Sequence, residues 1–396
     1  MKITAIITAT LLGLSFNVLA EPIFQEPVLQ ERVLKEPITR QLERDGTLFR
    51  LNGDFEGSDK IQEQLLKIQS DPVGHVYALN TIVTHMTWDE SQRGFDKALA
   101  HHANQILNWC HNETNLKQDT VRAHFYCGQA HFALSYFNGL QGNYYQAGRH
   151  GTESIEHLES ALDIAPDLTD AKMHLGVAYY IADNLPPFIK MFSRLLWFIP
   201  SGNSEKSLPY LREVINNGDQ FVDVARYSYV NLLLASPAYY DEAVQELRTL
   251  TKRYPANKRF HLRLISALMI QGTFDAALAA IDAYLAQFPD AEALDLSLTK
   301  IWQVRAYLGL NQAGPALQIF EEVDPVVTAS LDKLPDWSIA WHQLNQGQIF
   351  DLTNQRREAK RTYKDILSSA KTNYVNDTIQ EAARAGLANP FRLENY

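Results

Sequence analysis

The chain carries a 34-residue repeat, and that period constrains its fold more than any other feature of the sequence. Pro255 and Pro289 lie 34 residues apart, each after an aromatic residue, in KRYPAN and AQFPDA. Ala243 and Ala277 keep the same phase, 12 residues before each proline. From about residue 57 onward, amphipathic stretches of about 12–20 residues alternate with short breaks, whereas strand signals are scarce. Period and pattern together predict an all-α chain of stacked helical hairpins, because one hairpin cannot bury its apolar face alone.

A third segment, HLGVAYY, adds Leu175, Gly176 and Tyr179 on the first helix of a hairpin. Together these residues resemble the tetratricopeptide repeat, a helix–turn–helix unit of 34 residues. The chain is also similar to a group of exported bacterial tetratricopeptide proteins that carry a Pro-rich aromatic insertion. The resemblance implies a right-handed superhelical solenoid over residues 57–396 with a concave groove. The group has no assigned chemistry, so the resemblance implies architecture only. From the concave groove we expect a non-enzymatic scaffold for protein–protein interaction in the periplasm or cell envelope.

The N-terminus has the three-part layout of a secretory signal peptide. Met1 and Lys2 precede an apolar run, and Val18 and Ala20 take the −3 and −1 positions of a cleavage site. The apolar run is shorter than the roughly 20 residues that a membrane-spanning helix needs, although an N-terminal anchor is the alternative. We therefore expect residues 1–20 to be removed and the mature protein to be exported, with a periplasmic location. The mature chain is predicted to have no transmembrane span, and peripheral contact with a membrane is an alternative that its sequence allows.

Residues 21–40 read EPIFQ, EPVLQ, ERVLK and EPITR, a five-residue near-repeat that fits the period of neither a helix nor a strand. The prolines at 22, 27 and 37 remove backbone donors and bias the preceding residues toward extended conformations. We predict an extended leader over residues 21–56. It is either a polyproline-like spacer or a linear motif that a partner binds as an extended peptide.

The segment at 186–200, PPFIKMFSRLLWFIP, is the predicted aromatic helical insertion. As a helix it would have an apolar face formed by Phe188, Phe192, Leu195 and Ile199. Pro200 lies 34 residues after Pro166, in phase with the repeat, which favours packing of this helix on the repeat core. The alternatives are a helix at a membrane interface and a helix that docks a partner.

Charge and motifs exclude several functional classes. Asp and Glu number 46 against 36 Lys and Arg, a net charge of −10, which gives no electrostatic footprint for nucleic acid. The sequence contains no Gly-x-Ser-x-Gly, no phosphate-binding Gly-rich loop and no His-Glu-x-x-His motif. We therefore predict neither enzymatic activity nor a cofactor.

The two cysteines, Cys110 and Cys127, are predicted to form a disulfide, because an exported protein meets oxidising conditions and neighbouring antiparallel helices can bring them together. Two buried thiols are the alternative. Nine of the 12 histidines lie between residues 75 and 157. His124 and His131 share a helix face with Cys127, which would suit a metal, but the spacing matches no closed zinc pattern. The sequence therefore predicts no metal site.

Candidate partner-binding residues are exposed aromatics in two irregular segments, because aromatic side chains dominate the energetics of many interfaces. They are Tyr144, Tyr145, Phe188, Phe192 and Trp197. The expected partner is a protein or peptide. The alternative function is a binding component for a lipid, a glycan or another small ligand, with residues 186–200 as a lid or membrane foot.

Overall fold

The fold is helical throughout in the computed structural model, which describes residues 37–68, 71–88, 94–184, 202–329, 334, 336–370 and 377–393. These ranges contain eighteen α-helices and no strand, which confirms the predicted all-α class. The predicted signal peptide, the first part of the leader and the aromatic insertion lie outside the described residues.

The first nine helices are α1 Pro37–Leu51, α2 Phe55–Leu66, α3 Val73–Trp88, α4 Asp96–Cys110, α5 Glu113–Gln118, α6 Thr120–Leu140, α7 Tyr144–Ile164, α8 Ala171–Asp183 and α9 Ser204–Asn217. The other nine are α10 Val222–Leu233, α11 Tyr240–Arg253, α12 Lys258–Gln271, α13 Phe274–Gln287, α14 Ala293–Gly309, α15 Ala313–Thr328, α16 Asp336–Leu352, α17 Arg356–Ser369 and α18 Asp377–Ala388.

Consecutive helices pack as hairpins, and the hairpins stack through their first helices. The hairpins are α3/α4, α6/α7, α8/α9, α10/α11, α12/α13, α14/α15 and α16/α17. First helices contact one another along the chain: α3 packs on α6, α6 on α8, α8 on α10, α12 on α14 and α14 on α16. Helix α18 closes the C-terminal end against α16 and α17. This arrangement is the predicted helical solenoid.

Small residues allow the close helix contacts that such a stack requires. Ala243 and Ala277, the in-phase alanines of the sequence repeat, are fully buried in α11 and α13. A Cβ on Gly128 of α6 would lie 2.6 Å from Cγ of Leu158 on α7, so only glycine fits there without displacing the leucine. A continuous apolar core therefore extends from Leu51 to Ala306 across successive hairpins.

Buried aspartates tie helices together through tyrosine hydroxyls. Three such pairs occur among the described residues: the hydroxyl of Tyr254 donates to Asp223 at 2.7 Å, that of Tyr284 to Asp295 at 3.3 Å, and that of Tyr363 to Asp351 at 3.1 Å. Each pair joins side chains from two helical segments in a desolvated place, where an unpaired carboxylate would be costly.

The predicted extended leader over residues 21–56 is wrong from Pro37 onward, because α1 and the start of α2 occupy that part of the chain. Helix α1 buries Glu43, Thr47 and Arg50, which recur at helical spacing, whereas Leu48 is 49% exposed. A buried face made of polar residues is invisible to a search for apolar periodicity. Pro37, which suggested extended backbone, occupies the first helical position, where a missing N–H costs nothing.

Polar contacts fix α1 against the middle of the solenoid. Nδ2 of Asn257 donates to the carbonyl oxygen of Leu51 at 2.7 Å, and Nε2 of Gln220 donates to Glu43 at 3.0 Å. The N-terminal helix thereby meets segments about 180 and 200 residues away along the chain, which local sequence cannot encode.

Candidate functional site

A cavity of about 470 Å³ lies between the first helices of successive hairpins. Its lining comes from α3, α6, α8, α10, α12 and α14, with the C-terminal end of α1 as one wall. We call it the central cavity. Its volume falls within the roughly 300–1,000 Å³ typical of ligand pockets. Six successive hairpins therefore each contribute side chains to the wall of one cavity.

Much of the cavity wall is aromatic and aliphatic. The aromatic side chains in it are Trp88, Phe132, Tyr136, Tyr180, Phe221, Tyr227 and Trp302. The ring of Trp88, at the end of α3, lies 6.3 Å from that of Tyr227 on α10 and 5.3 Å from that of Phe260 on α12. The stack therefore curves enough to bring its first hairpin against later ones, and the enclosed surface suits apolar side chains of a ligand.

Arg50 places a buried positive charge in this wall. Its side chain is almost fully buried; Nη1 donates to Oγ1 of Thr81 at 3.1 Å and Nη2 to Oγ1 of Thr47 at 3.5 Å. The guanidinium lies 5.3 Å from the ring centroid of Tyr77, and its Nε has no hydrogen-bond partner. Within the described part of the chain, no carboxylate pairs with Arg50. Burial lowers the pKa of Arg50, which is the mark of a desolvated cation.

Two further arginines line the cavity from α12. Nε of Arg263 donates to Oδ1 of Asn231 at 3.0 Å, and Nη1 of Arg259 pairs with Oδ1 of Asp295 at 2.8 Å. The described residues of the lining include no Asp or Glu. The cavity is therefore electropositive inside a chain whose net charge is −10, a contrast that favours an anionic ligand.

His174 adds a neutral polar group on the α8 side. It is 2% exposed, and its ring contacts Phe132 and Phe221 edge-on, with centroids 5.1 Å apart in each case. Burial lowers its pKa to about 3, so the imidazole is uncharged at neutral pH. Its Nδ1 has no partner among the described residues.

The two cysteines are joined by a disulfide in the structure. Cys110 ends α4, Cys127 lies in α6, and their Cα atoms are 6.1 Å apart. Both are 1% exposed and pack with Ala123. The bond connects the first repeat hairpin to the second, and peptide mapping under non-reducing conditions tests it directly.

The metal arrangement weighed from sequence, with Cys127, His131 and His124 on one face of a helix, does not form. The Cys127 sulfur is bonded to Cys110 on α4. His124 and His131 face α7 instead, where their rings contact those of His157 and His150. The histidines of α6 thus meet those of the next helix rather than the cysteines.

Two of the predicted partner-binding aromatics are described by the structure, and both lie outside the lining of the central cavity. Tyr144 and Tyr145 begin α7 and are 45% and 54% exposed. Neither is among the residues that line the cavity. Phe188, Phe192 and Trp197 lie outside the described residues. A role in partner binding stays a prediction for all five.

Sequence reasoning missed Arg50, Arg263 and His174. For Arg263 and His174 a signal exists, since both are polar residues within otherwise apolar first helices, in RFHLRLIS and AKMHLGVAYY. For Arg50 there is none, because α1 was not predicted as a helix and its contacts are made with distant segments.

No helix in the described ranges combines the length and the apolar character that crossing a bilayer requires.

A family model matches part of the chain. Residues 240–292, which contain α11, α12 and α13, match the model described as "Tetratricopeptide repeat". The matched region includes Pro255 and Pro289, the prolines that define the 34-residue period. None of the curated proteins is similar enough to the chain to count as a match. The match and the stacked hairpins support a tetratricopeptide repeat protein.

Proposed function

We propose that this protein is a non-enzymatic repeat scaffold in the periplasm or cell envelope, which binds an acidic segment of a protein partner in the central cavity. The repeat match and the stack of hairpins support a protein-interaction scaffold. The cavity supports a ligand that inserts apolar side chains between the first helices.

The state of Arg50 is the observation that carries this proposal. A cation that is only 2% exposed normally has a carboxylate partner, because its desolvation costs several kcal/mol. Arg50 has two threonine hydroxyls and the face of Tyr77 instead. An Asp or Glu side chain of a bound segment, or its C-terminal carboxylate, would supply the missing charge.

The surroundings of Arg50 define the rest of the ligand. Arg263, whose Nε donates to the neutral amide of Asn231, lies in the α12 wall, so a second acidic group would also be favoured. Between the arginines the wall is formed by rings such as Trp88 and Tyr227. An extended segment in which acidic and apolar residues are interspersed fits this lining, and its apolar residues would supply most of the affinity.

A lipid with a carboxylate head is the second candidate, because the apolar wall and the volume of about 470 Å³ also suit an aliphatic chain. Its head group would use the same arginine. The two candidates differ in what a cross-linker inside the cavity captures.

Export is part of the proposal and has two supports. The N-terminal layout of residues 1–20 is that of a cleaved signal peptide. The Cys110–Cys127 disulfide supports an oxidising compartment, since such bonds are rare in a reducing cytosol.

Site-specific photo-cross-linking tests the proposal. A photoreactive amino acid replaces Ser228, which lines the cavity on α10, or Gln245, an exposed residue of α11 that serves as the matched control. We expect Ser228 to cross-link a defined acidic peptide segment in the cell envelope and Gln245 not to do so. A synthetic copy of that segment should compete. Capture of a fatty acid alone from Ser228 would overturn the protein scaffold in favour of the second candidate, and equal products from both positions would overturn both.

A further inference from the structure

Five histidines come together beside the disulfide, and none of them lines the central cavity. His124 and His131 lie seven residues apart on α6, and His150 and His157 lie seven apart on α7. Seven residues are about two helical turns, so each pair occupies one face of its helix. His111 follows α4 directly after Cys110. We call these five residues the histidine cluster.

The four helical histidines pair across the antiparallel interface in one register. The Nδ1 atoms of His124 and His157 are 2.9 Å apart, and so are those of His131 and His150. The rings of His131 and His157 stack nearly parallel, with centroids 5.7 Å apart. These two form the inner pair, and His124 and His150 flank them.

Each Nδ1–Nδ1 contact requires one donor and one acceptor, and a neutral imidazole carries a proton on only one nitrogen. If the inner rings donate through Nδ1, their Nε2 atoms keep a free lone pair. Nε2 of His131 is buried and has no hydrogen-bond partner in the described structure, and the whole residue is only 6% exposed. A buried nitrogen without a partner costs free energy unless something binds it.

A third histidine faces the same point. One ring nitrogen each of His111, His131 and His157 lies within 4.8 Å of the other two. His111 is exposed and can rotate, so small side-chain movements would bring three nitrogens to the roughly 2.1 Å at which imidazole binds zinc. The Cys110–Cys127 bond fixes the backbone next to His111 against α6.

We propose that His111, His131 and His157 bind a divalent transition-metal ion, with Zn²⁺ as the best fit, and that His124 and His150 position the inner rings by accepting their Nδ1–H bonds. Three neutral imidazoles leave a fourth tetrahedral position open to water or to a partner's side chain. Hydrogen-bonded outer groups of this kind orient ligating histidines in metal sites. The ion would connect the end of α4 to the α6/α7 hairpin. This inference is independent of the ligand proposed for the central cavity.

Calorimetric titration of untagged, chelator-stripped, oxidised protein with Zn²⁺ tests the site. We expect saturable binding of one ion at the cluster with a Kd below about 1 µM, and a Zn²⁺-dependent rise in melting temperature. His111→Ala should weaken this binding at least about 100-fold, and His150→Ala about 10-fold. Because His111 is exposed, its removal leaves the core intact, which the melting temperature without metal checks. Co²⁺ in place of Zn²⁺ should give the visible absorption of a tetrahedral site.

The matched control is His101→Ala, in a separate group with His75 and His102 whose nitrogens also lie within 4.8 Å of one another. We expect this variant to keep the high-affinity site. Absence of saturable Zn²⁺ binding, or binding that His111→Ala leaves unchanged, would overturn the proposal. Loss of the site in His101→Ala rather than in His111→Ala would also overturn it, because the ion would then lie in the other group.

Discussion

Replacing Arg50 with methionine separates a binding arginine from a structural one. In the free protein the guanidinium is desolvated at a cost of several kcal/mol. The hydroxyl of Thr81 and the ring of Tyr77 offset part of that cost, the ring by about 1–2 kcal/mol. Methionine fills much of the same space without the charge. We therefore expect the free energy of unfolding of Arg50→Met to stay the same or to rise by about 1 kcal/mol.

The same substitution should weaken ligand binding. A hydrogen bond between charged groups contributes about 1.5–3 kcal/mol, so affinity for an acidic segment should fall about 10-fold to 150-fold. Arg259→Met is the matched control, because Arg259 lines the same cavity but pairs with buried Asp295. Removing Arg259 leaves the carboxylate of Asp295 uncompensated, so the free energy of unfolding should fall by about 3–5 kcal/mol.

Urea unfolding followed by circular dichroism measures both variants, and fluorescence titration with the cross-linked segment measures affinity. A loss of 3 kcal/mol or more in Arg50→Met would refute the reasoning, because it would mean that the charge of Arg50 is balanced within the free protein. Unchanged affinity in Arg50→Met would refute its role in binding.

Three further predictions concern stability and processing. Reduction of the disulfide, or the double change Cys110→Ser and Cys127→Ser, should lower the free energy of unfolding by about 3 kcal/mol; non-reducing peptide maps that show both thiols free would contradict the bond. Burial alone would raise the pKa of Asp223, but hydrogen bonds from Tyr254 and two arginines outweigh it and hold the pKa below its ordinary value. Asp223→Asn should therefore lower the free energy of unfolding by about 3 kcal/mol at pH 7. In urea unfolding, the difference from the wild type should shrink only below about pH 4, as the wild-type carboxylate protonates. A difference that is constant from pH 7 to pH 3 would contradict this linkage. Mass spectrometry of the mature protein should find an N-terminus directly after Ala20, and an intact N-terminal peptide would rule out cleavage.

The all-α class and the repeat could be predicted because both depend on local spacing. Apolar residues at helical period select helices, and Pro255 and Pro289 end helices at a fixed interval. Gly128 and the in-phase alanines mark the places where helices approach closely. These signals are each contained within a single repeat.

The candidate sites could not be predicted in the same way. The sequence placed partner binding at exposed aromatics, whereas the cavity chemistry lies in Arg50, Arg263 and His174. Helix α1 buries a polar face and exposes Leu48, so its burial follows from contacts with distant segments rather than from its own pattern. Local periodicity carries no information about such contacts.

The sequence by itself determined which segments are helical within most repeats and how often the hairpins recur, because backbone geometry and apolar spacing act over a few residues. Only the tertiary structure decided what the hairpins enclose. The curvature of the stack brings α3 against α12, places Arg50 in a wall where no carboxylate of the described residues pairs with it, and aligns the histidines of α6 with those of α7. Those juxtapositions depend on how each helix packs on the next, and small packing angles that add up along a solenoid are not encoded in any one repeat.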